Sequence, residues 1–362
     1  MKLQRWDLSR FTWMRESVLG SVPLAVLIVL LGAGTALLDN AVLFIIVSHL
    51  LVMIVLTLGF QVFTGNSGVI SYGHVGFMAI GAYLSALFTI SPAIKESFLP
   101  GLPGFISANQ LGFVPAMLIA LAAVAVLALV IGVPMVRMSS LQAGGPIVTF
   151  AFLVVVEVVL SGWQGVTGGR RALYGVPTYA HLGWTTGLAT LALVIARLYR
   201  DSPAGLKLRA SREDEVAARA MGIDLERVRL GSWVLSAVFA ALSGVLLGHF
   251  LGVFSPSQFW LATTVTALAL LIVGGRTTTS GGVLGVVLIS LVTEVTRSIE
   301  TWTGRTEAVP DLFGLAQVFV ALVFLAALYL KPGGVTGRWE LDEHLRGILK
   351  AQLKGRDRPA GL

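Results

Sequence analysis

Long apolar blocks separated by short polar or charged stretches run along almost the whole chain. Ten blocks of about 17 to 25 residues carry few charges, and an α-helix needs about 20 residues to cross a bilayer. The blocks are residues 18–38, 41–63, 68–90, 113–136, 141–163, 182–199, 230–250, 257–275, 282–300 and 311–330. The short alternating segments of a β-barrel do not occur. The pattern therefore predicts an all-α polytopic membrane protein with about ten transmembrane helices.

The composition supports this prediction and excludes other classes of protein and of site. Of the 362 residues, 56% are hydrophobic and 12% are charged, about half the charged share of a soluble domain. The chain has no cysteine, which excludes disulfides, thiolate nucleophiles and cysteine-based metal sites. The first apolar block, 18–38, is long for a signal peptide and has no clean cleavage site, so we interpret it as an uncleaved first span.

The basic residues lie mainly on one side of the predicted bundle. Ten spans would place both termini on the same face, and 21 of the 26 Lys and Arg residues then fall in the segments of that face. Because basic residues concentrate in cytoplasmic loops, we expect both termini in the cytoplasm. The net charge of +7 is thus a signal of topology, and no nucleic-acid partner is expected. The predicted divisions are residues 1–17, a membrane domain over 18–331, and a charged cytoplasmic tail over 332–362.

Two features refine the prediction. The third and ninth blocks are rich in glycine and could break within the membrane, which leaves eight or nine spans with a re-entrant segment as an alternative. The loop 200–229 is the longest cytoplasmic connection, and Ser211 and Asp214 have capping-box spacing ahead of Gly222. This spacing predicts a short surface helix over about 212–221.

Signatures of enzymatic or nucleotide chemistry do not occur in the sequence. There is no Gly-Lys-Ser/Thr phosphate loop, no His-Glu-x-x-His pair and no Gly-x-Ser-x-Gly elbow. An ion-driven transporter needs ionisable groups inside its spans, and the one carboxylate deep in a span is Glu157. Glu157 either lines a pathway or hydrogen-bonds a neighbouring helix. We interpret Glu294 and Arg297, spaced i, i+3, as a structural pair near the outer surface.

The third block has small residues at spacings of three and four. Residues 65–83 read GNSGVISYGHVGFMAIGAY. Such spacing lets helix backbones approach closely, so tight packing is one interpretation. The other is that this thin helix lines a translocation path along Ser71, Gly73, His74 and Gly76, with Ser71 and His74 supplying the hydrogen-bonding groups.

Three stretches together resemble a known family. Residues 65–83, residues 208–224 (LRASREDEVAARAMGID) and residues 235–247 (LSAVFAALSGVLL) resemble segments of branched-chain amino-acid ABC-transporter permeases of the LivM type. The likeness covers about residues 40–330 in the same order and spacing. It departs from the family pattern at Arg170 and Arg171, which follow Thr-Gly-Gly in an outer loop, and at the turn 273–282.

The resemblance implies an ABC-importer permease in the bacterial inner membrane. Its partners would be a homologous LivH-like permease, two cytoplasmic ATPases that bind ATP and Mg²⁺, and an extracytoplasmic substrate-binding protein, whereas this chain itself would bind no cofactor. The loop 200–229 would hold the coupling helix that docks on an ATPase. The residues assigned to that coupling are Arg212, Glu213, Glu215, Ala217, Ala218 and Gly222.

The solute and one alternative stay open. By resemblance the solute is a branched-chain amino acid, while urea, short amides and aromatic acids use similar permeases. The alternative is a self-sufficient secondary transporter or channel, which would need a coupling-ion site. A membrane enzyme would need a nucleophile, base or metal constellation that the sequence does not contain.

Overall fold

The computed structural model describes residues 9–138, 144–303, 315–331, 333–337 and 339–343 as a helical bundle. The helices are α1 (Ser9–Leu38), α2 (Ala41–Phe60), α3 (His74–Thr89), α4 (Pro92–Phe98), α5 (Gly104–Ser107), α6 (Phe113–Met138), α7 (Gly144–Gly162), α8 (Gln164–Thr167), α9 (Leu182–Asp201), α10 (Pro203–Glu213), α11 (Glu215–Ala220), α12 (Leu225–Leu251), α13 (Leu261–Gly274), α14 (Thr279–Thr303) and α15 (Leu315–Leu330). A π-helical turn continues α2 to Gly65, and a 3-10 turn, Pro256–Phe259, precedes α13. The predicted all-α class is confirmed.

Every predicted apolar block contains a helix, but not every helix is long enough to span a bilayer. Within the described ranges eight helices pass by length and composition, and a ninth span results if α3 and α4, bent by 116° at their junction, are counted as one. Helix α3 begins at His74 rather than at residue 68, and its 16 residues measure about 24 Å at 1.5 Å per residue. The third block is therefore broken, whereas the ninth block is the continuous helix α14. The total of ten stays a prediction.

Helix α12 lies at the centre of the bundle and packs against α2, α3 and α6. The Trp233 ring of this helix is fully buried, and its Nε1 donates to the Ala128 carbonyl oxygen of α6 over 3.1 Å. Helix α2 is buried on all sides from Leu50 onward, as expected for a helix that is apolar around its whole circumference.

The contact between α3 and α12 depends on glycine. A Cβ added at Gly81 would lie 2.4 Å from the Ala241 carbonyl oxygen, and one added at Gly244 would lie 1.8 Å from the Met78 carbonyl oxygen. Neither position can accept a side chain unless the two backbones move apart. The small-residue spacing of the third block therefore serves close helix packing here.

One end of the bundle carries α10, α11 and the C-terminal residues 333–337 and 339–343, and we call it the basic end. These C-terminal residues pack against the ends of α9, α13 and α14 there. The Val335 amide donates to the Val273 carbonyl oxygen over 2.8 Å, and Glu340 is fully buried. The sequence pattern alone assigns this tail only charge and at most one amphipathic helix, so its docking was not anticipated.

Candidate functional site

The loop 200–229 contains the two short helices α10 and α11 at the basic end, and we call it the coupling segment after the role that the sequence resemblance implies. Ser202 caps α10 by accepting the Gly205 amide, and Asp214 caps α11 by accepting the Ala217 amide over 2.9 Å. The chain leaves α11 at Gly222 with φ +78°, and the Ile223 amide donates to the Ala218 carbonyl oxygen, as in a Schellman ending.

The prediction of one helix over 212–221 is wrong at its start. Ser211 belongs to α10, where its hydroxyl donates to the Leu208 carbonyl oxygen over 2.7 Å, and it caps no helix. Asp214 competes for the backbone amides that follow it and so divides the segment in two. The predicted ending at Gly222 is confirmed.

The residues assigned to coupling divide between an exposed and a buried face. Glu213, Ala217 and Gly222 are exposed, whereas Ala218 retains only 5% exposure and packs against its own subunit. Because its side chain already has neighbours within the chain, Ala218 adds little to the accessible surface of α11, and its assignment to coupling stays a prediction. The exposed face instead presents two large apolar side chains, Val216 at 79% and Met221 at 82% exposure.

Glu215 fixes α11 to the start of α12. One carboxylate oxygen accepts from Arg229 over 2.7 Å and the other from Arg219 over 2.9 Å. Burial alone would raise the pKa of Glu215, but the hydrogen bonds and charges of Arg229 and Arg219 outweigh burial and hold this pKa below its ordinary value. Glu215 thus orients the segment from within.

Arg212 connects the coupling segment to residues 65–83, the stretch with small residues at spacings of three and four. Its Nη1 donates to the Gly65 carbonyl oxygen over 2.9 Å, and its aliphatic stem lies against Gly68, which has φ +78°. A Cβ at Gly65 would meet the Arg276 carbonyl oxygen at 2.2 Å. Two of the sequence stretches that carry the family resemblance are therefore in direct contact.

Ser71 and His74 lie inside the subunit. Both are fully buried, and the His74 ring nitrogens sit 2.9 Å from the hydroxyls of Ser71 and Ser236. Aromatic rings surround the imidazole; they belong to Phe60, Phe63 and Trp233. This network joins α3 to α12, and neither side chain is accessible from a cavity or surface in the described structure.

Gly73 and Gly76 face α7. A Cβ at Gly73 would lie 3.0 Å from the Thr149 carbonyl oxygen, and one at Gly76 would lie 3.0 Å from the Phe152 ring. The amide of Tyr72 donates to the Thr149 hydroxyl over 3.1 Å. These glycines therefore hold the start of α3 close to α7.

Helix α7 carries an accessible stripe along its length. Residues spaced by three and four remain half-buried or exposed on one face: Ile147, Phe150, Val154, Glu157 and Ser161. Glu157 accepts a hydrogen bond from the Ser161 hydroxyl, one turn further along its own helix, over 2.7 Å. We call these five residues the α7 stripe. Glu157 is the one predicted pathway residue with an ionisable side chain that stays accessible.

A cavity lies at each end of the α7 stripe. The first, of about 360 Å³, is apolar and lies toward the basic end. Its lining residues are Tyr72, Pro146, Ile147, Phe150 and Leu261. The second, of about 780 Å³, lies at the opposite end, and we call it the mouth cavity. Its lining includes Ser161, Gln164, Arg170 and Arg171, and both arginines are exposed.

In the described ranges, no group of three or more histidine, aspartate or glutamate side chains is placed to hold a metal ion.

The sequence analysis did not single out Glu340, which is fully buried at the basic end. The sequence offers one signal for it: three acidic residues, Glu340, Asp342 and Glu343, stand close together in a tail on the face of the bundle that holds most of the basic residues.

Comparisons with known proteins lead to one family of transport proteins. The family model described as branched-chain amino acid transport system/permease component matches residues 40–328. The Escherichia coli high-affinity branched-chain amino acid transport permease protein LivM is 27% identical over 287 residues, 70% of this chain and 63% of LivM. LivH of the same organism is 26% identical over 309 residues, 80% of this chain and 92% of LivH.

An archaeal relative extends the comparison. A probable LivM of Methanocaldococcus jannaschii is 23% identical over 303 residues, 75% of this chain and 86% of that protein. The match to the bacterial LivM proteins spans less than two thirds of their length, 63% in each case. No solved structure matches the chain. Because the family model covers most of the chain, this protein belongs to the branched-chain amino acid transport system/permease component family.

Proposed function

We propose that this chain is a transmembrane permease subunit of an ATP-driven ABC importer and not itself an enzyme. The solute is a small polar molecule, with a branched-chain amino acid as the first candidate because both LivM and LivH relatives carry that name. The partners are a LivH-like permease, two ATPases that bind ATP and Mg²⁺, and a substrate-binding protein. The basic end faces the cytoplasm of a bacterial cell, in agreement with the positive-inside rule.

The coupling segment is the observation that carries this proposal. It is a pair of short helices at the surface of the bundle, and the side chains of Val216 and Met221 are exposed there. Large exposed apolar side chains are typical of a surface that a partner covers. Arg212 and Glu215 tie the segment to α2 and α12, so a displacement of the segment would reach the membrane helices.

The α7 stripe supports a location for the translocation pathway. It connects the apolar cavity to the mouth cavity, and its polar groups, Glu157 and Ser161, lie in the half near the mouth. The pathway would run between this face and the second permease. In this arrangement Gly73 and Gly76 hold the start of α3 against α7, and Ser71 and His74 fix α3 to α12.

Co-purification with an obstructing substitution tests the proposal. Ala217→Trp places a large ring on the exposed face of α11, and Ala108→Trp places the same ring on an exposed loop at the other end of the bundle. We expect Ala217→Trp to lose the ATPases in mild-detergent affinity purification, while wild type and Ala108→Trp retain two ATPases and a homologous permease. Wild-type protein that purifies alone and transports in liposomes without ATP would favour the secondary-transporter alternative.

A further inference from the structure

The C-terminal segment forms specific backbone contacts at the basic end. The Val335 and Thr336 amides donate to the Val273 and Gly274 carbonyl oxygens at the end of α13, over 2.8 and 3.0 Å. A helix end leaves its last carbonyl groups without partners, and this segment satisfies two of them. Gly275, with φ +123°, permits the approach, since a Cβ there would meet the Thr336 hydroxyl at 2.3 Å.

Glu340 then caps α14 from outside that helix. Its carboxylate accepts the backbone amides of Thr279 and Ser280 over 2.8 and 3.0 Å, and it also accepts both of their hydroxyls. A carboxylate at a helix N-terminus satisfies free amides and interacts favourably with the helix dipole. The usual cap comes from the residue just before the helix, whereas this one comes from about 60 residues further along the chain.

The same carboxylate pairs with two arginines in the last turns of α9. Arg197 Nη1 lies 2.9 Å and Arg200 Nε 3.0 Å from its oxygens, and both guanidinium groups are almost fully buried. Burial alone would raise the pKa of Glu340, but Arg200, Arg197, the Ser280 hydroxyl and the Thr279 amide outweigh burial and hold this pKa below its ordinary range. Glu340 is therefore a charged bridge between α9 and α14.

The position of this bridge relates it to the coupling segment. Arg200 is followed directly by Asp201 and by Ser202, the cap of α10, so the coupling segment begins where α9 ends. We call this end of α9 the root of the coupling segment. Asp201 also accepts from Ser17 of α1 over 2.9 Å and from Arg197 over 2.8 Å. Asp342 also pairs with Arg197 over 3.1 Å, so three carboxylates, of which Glu340 is the most buried, surround the two arginines at this root.

We propose that Glu340 is a positioning residue for coupling: it locks the root of α10 to the start of α14, so that movement of the coupling segment displaces α9 and α14 as one body. The inference rests on the proposed function. It assigns the C-terminal segment a role in transmitting force from the ATPases.

The test compares Glu340→Ala with Glu343→Ala in the complete importer. Glu343 is exposed in the same segment and serves as the matched control. We expect Glu340→Ala to keep its ATPases but to lower the transport achieved per ATP hydrolysed by about tenfold. Glu340→Asp should recover part of that ratio. An unchanged ratio in Glu340→Ala overturns the inference while the wild-type complex still supports the proposed function.

A second measurement uses the absence of cysteine in the chain. The hydroxyls of Thr278 and Thr336 lie 2.8 Å apart, so a disulfide between cysteines at both positions would hold the C-terminal segment against the start of α14 without linking it to α9. Oxidation of this pair should therefore leave the coupling of Glu340→Ala low. Spin labels at the exposed positions Leu206 and Leu291 should show a broader distance distribution in Glu340→Ala than in Glu343→Ala. Recovery of coupling on oxidation would mean that docking of the segment is enough without the bridge to α9, and it would contradict the inference, as would unchanged distances.

Discussion

The α3–α12 crossing and the α7 stripe differ in accessibility: residues at the crossing are packed between helices, whereas those of the stripe are half-buried or exposed. At the crossing, Gly81 and Gly244 allow two backbones to touch, and the polar group His74 is sealed among aromatic rings. Along α7 the polar group Glu157 is half-buried and lies one turn from Ser161, which lines the mouth cavity. Small residues at regular spacing therefore report the approach of helices, whereas the accessible face of α7 is where we propose the path for solute.

The largest expected effect is at the crossing. Gly244→Leu should prevent folding, because even its Cβ would lie 1.8 Å from the Met78 carbonyl oxygen. Gly231→Leu is the matched control, since Gly231 lies in the same helix with nothing within 4 Å of its Cβ. The yield of monodisperse protein in detergent measures both variants. Equal yields would mean that the crossing is loose and would weaken the contrast with α7.

A steric block should have the next largest effect. Val154→Trp fills the middle of the α7 stripe, and Val159→Trp adds the same ring to an exposed face almost opposite. We expect Val154→Trp to lower the rate of transport by at least about tenfold at unchanged ATPase binding, corresponding to about 1.4 kcal/mol in the barrier. Val159→Trp should retain most activity. Loss of transport in the control alone would place the pathway on the other face of α7.

His74 distinguishes packing from a direct role in transport. His74→Ala removes hydrogen bonds to Ser71 and Ser236 and leaves buried hydroxyls without this partner, which costs about 1–3 kcal/mol. We expect a lower thermal midpoint but an unchanged transport rate per assembled complex. Thermal unfolding and transport assays on the same preparation separate the two. A normal midpoint with abolished transport would return His74 to the pathway.

The sequence predicted features with local causes. The apolar blocks gave the helices, and Gly222 marked the end of α11 because a left-handed ending favours glycine. The sequence did not predict features that depend on partners distant along the chain. Glu340 finds Arg197 and Thr279 only after folding, and Ala218 is buried by contacts that no helical period reveals. The start of α3 at His74 was missed because glycine is compatible with both a packed helix and the irregular backbone before it.

Substitutions in the mouth cavity should have the smallest effect on transport, and they extend the comparison from the helices to the surface of the protein. Arg170 and Arg171 are exposed, so their charges act on an approaching partner through solvent and are screened by salt. If the loaded binding protein docks here, Arg170→Gln with Arg171→Gln should raise the concentration of binding protein needed for half-maximal transport by about threefold at low salt. The maximal rate should stay unchanged, because the α7 stripe is intact. A fall in the maximal rate instead would place these arginines within the pathway, and the accessible stripe would then continue from Ser161 into the mouth.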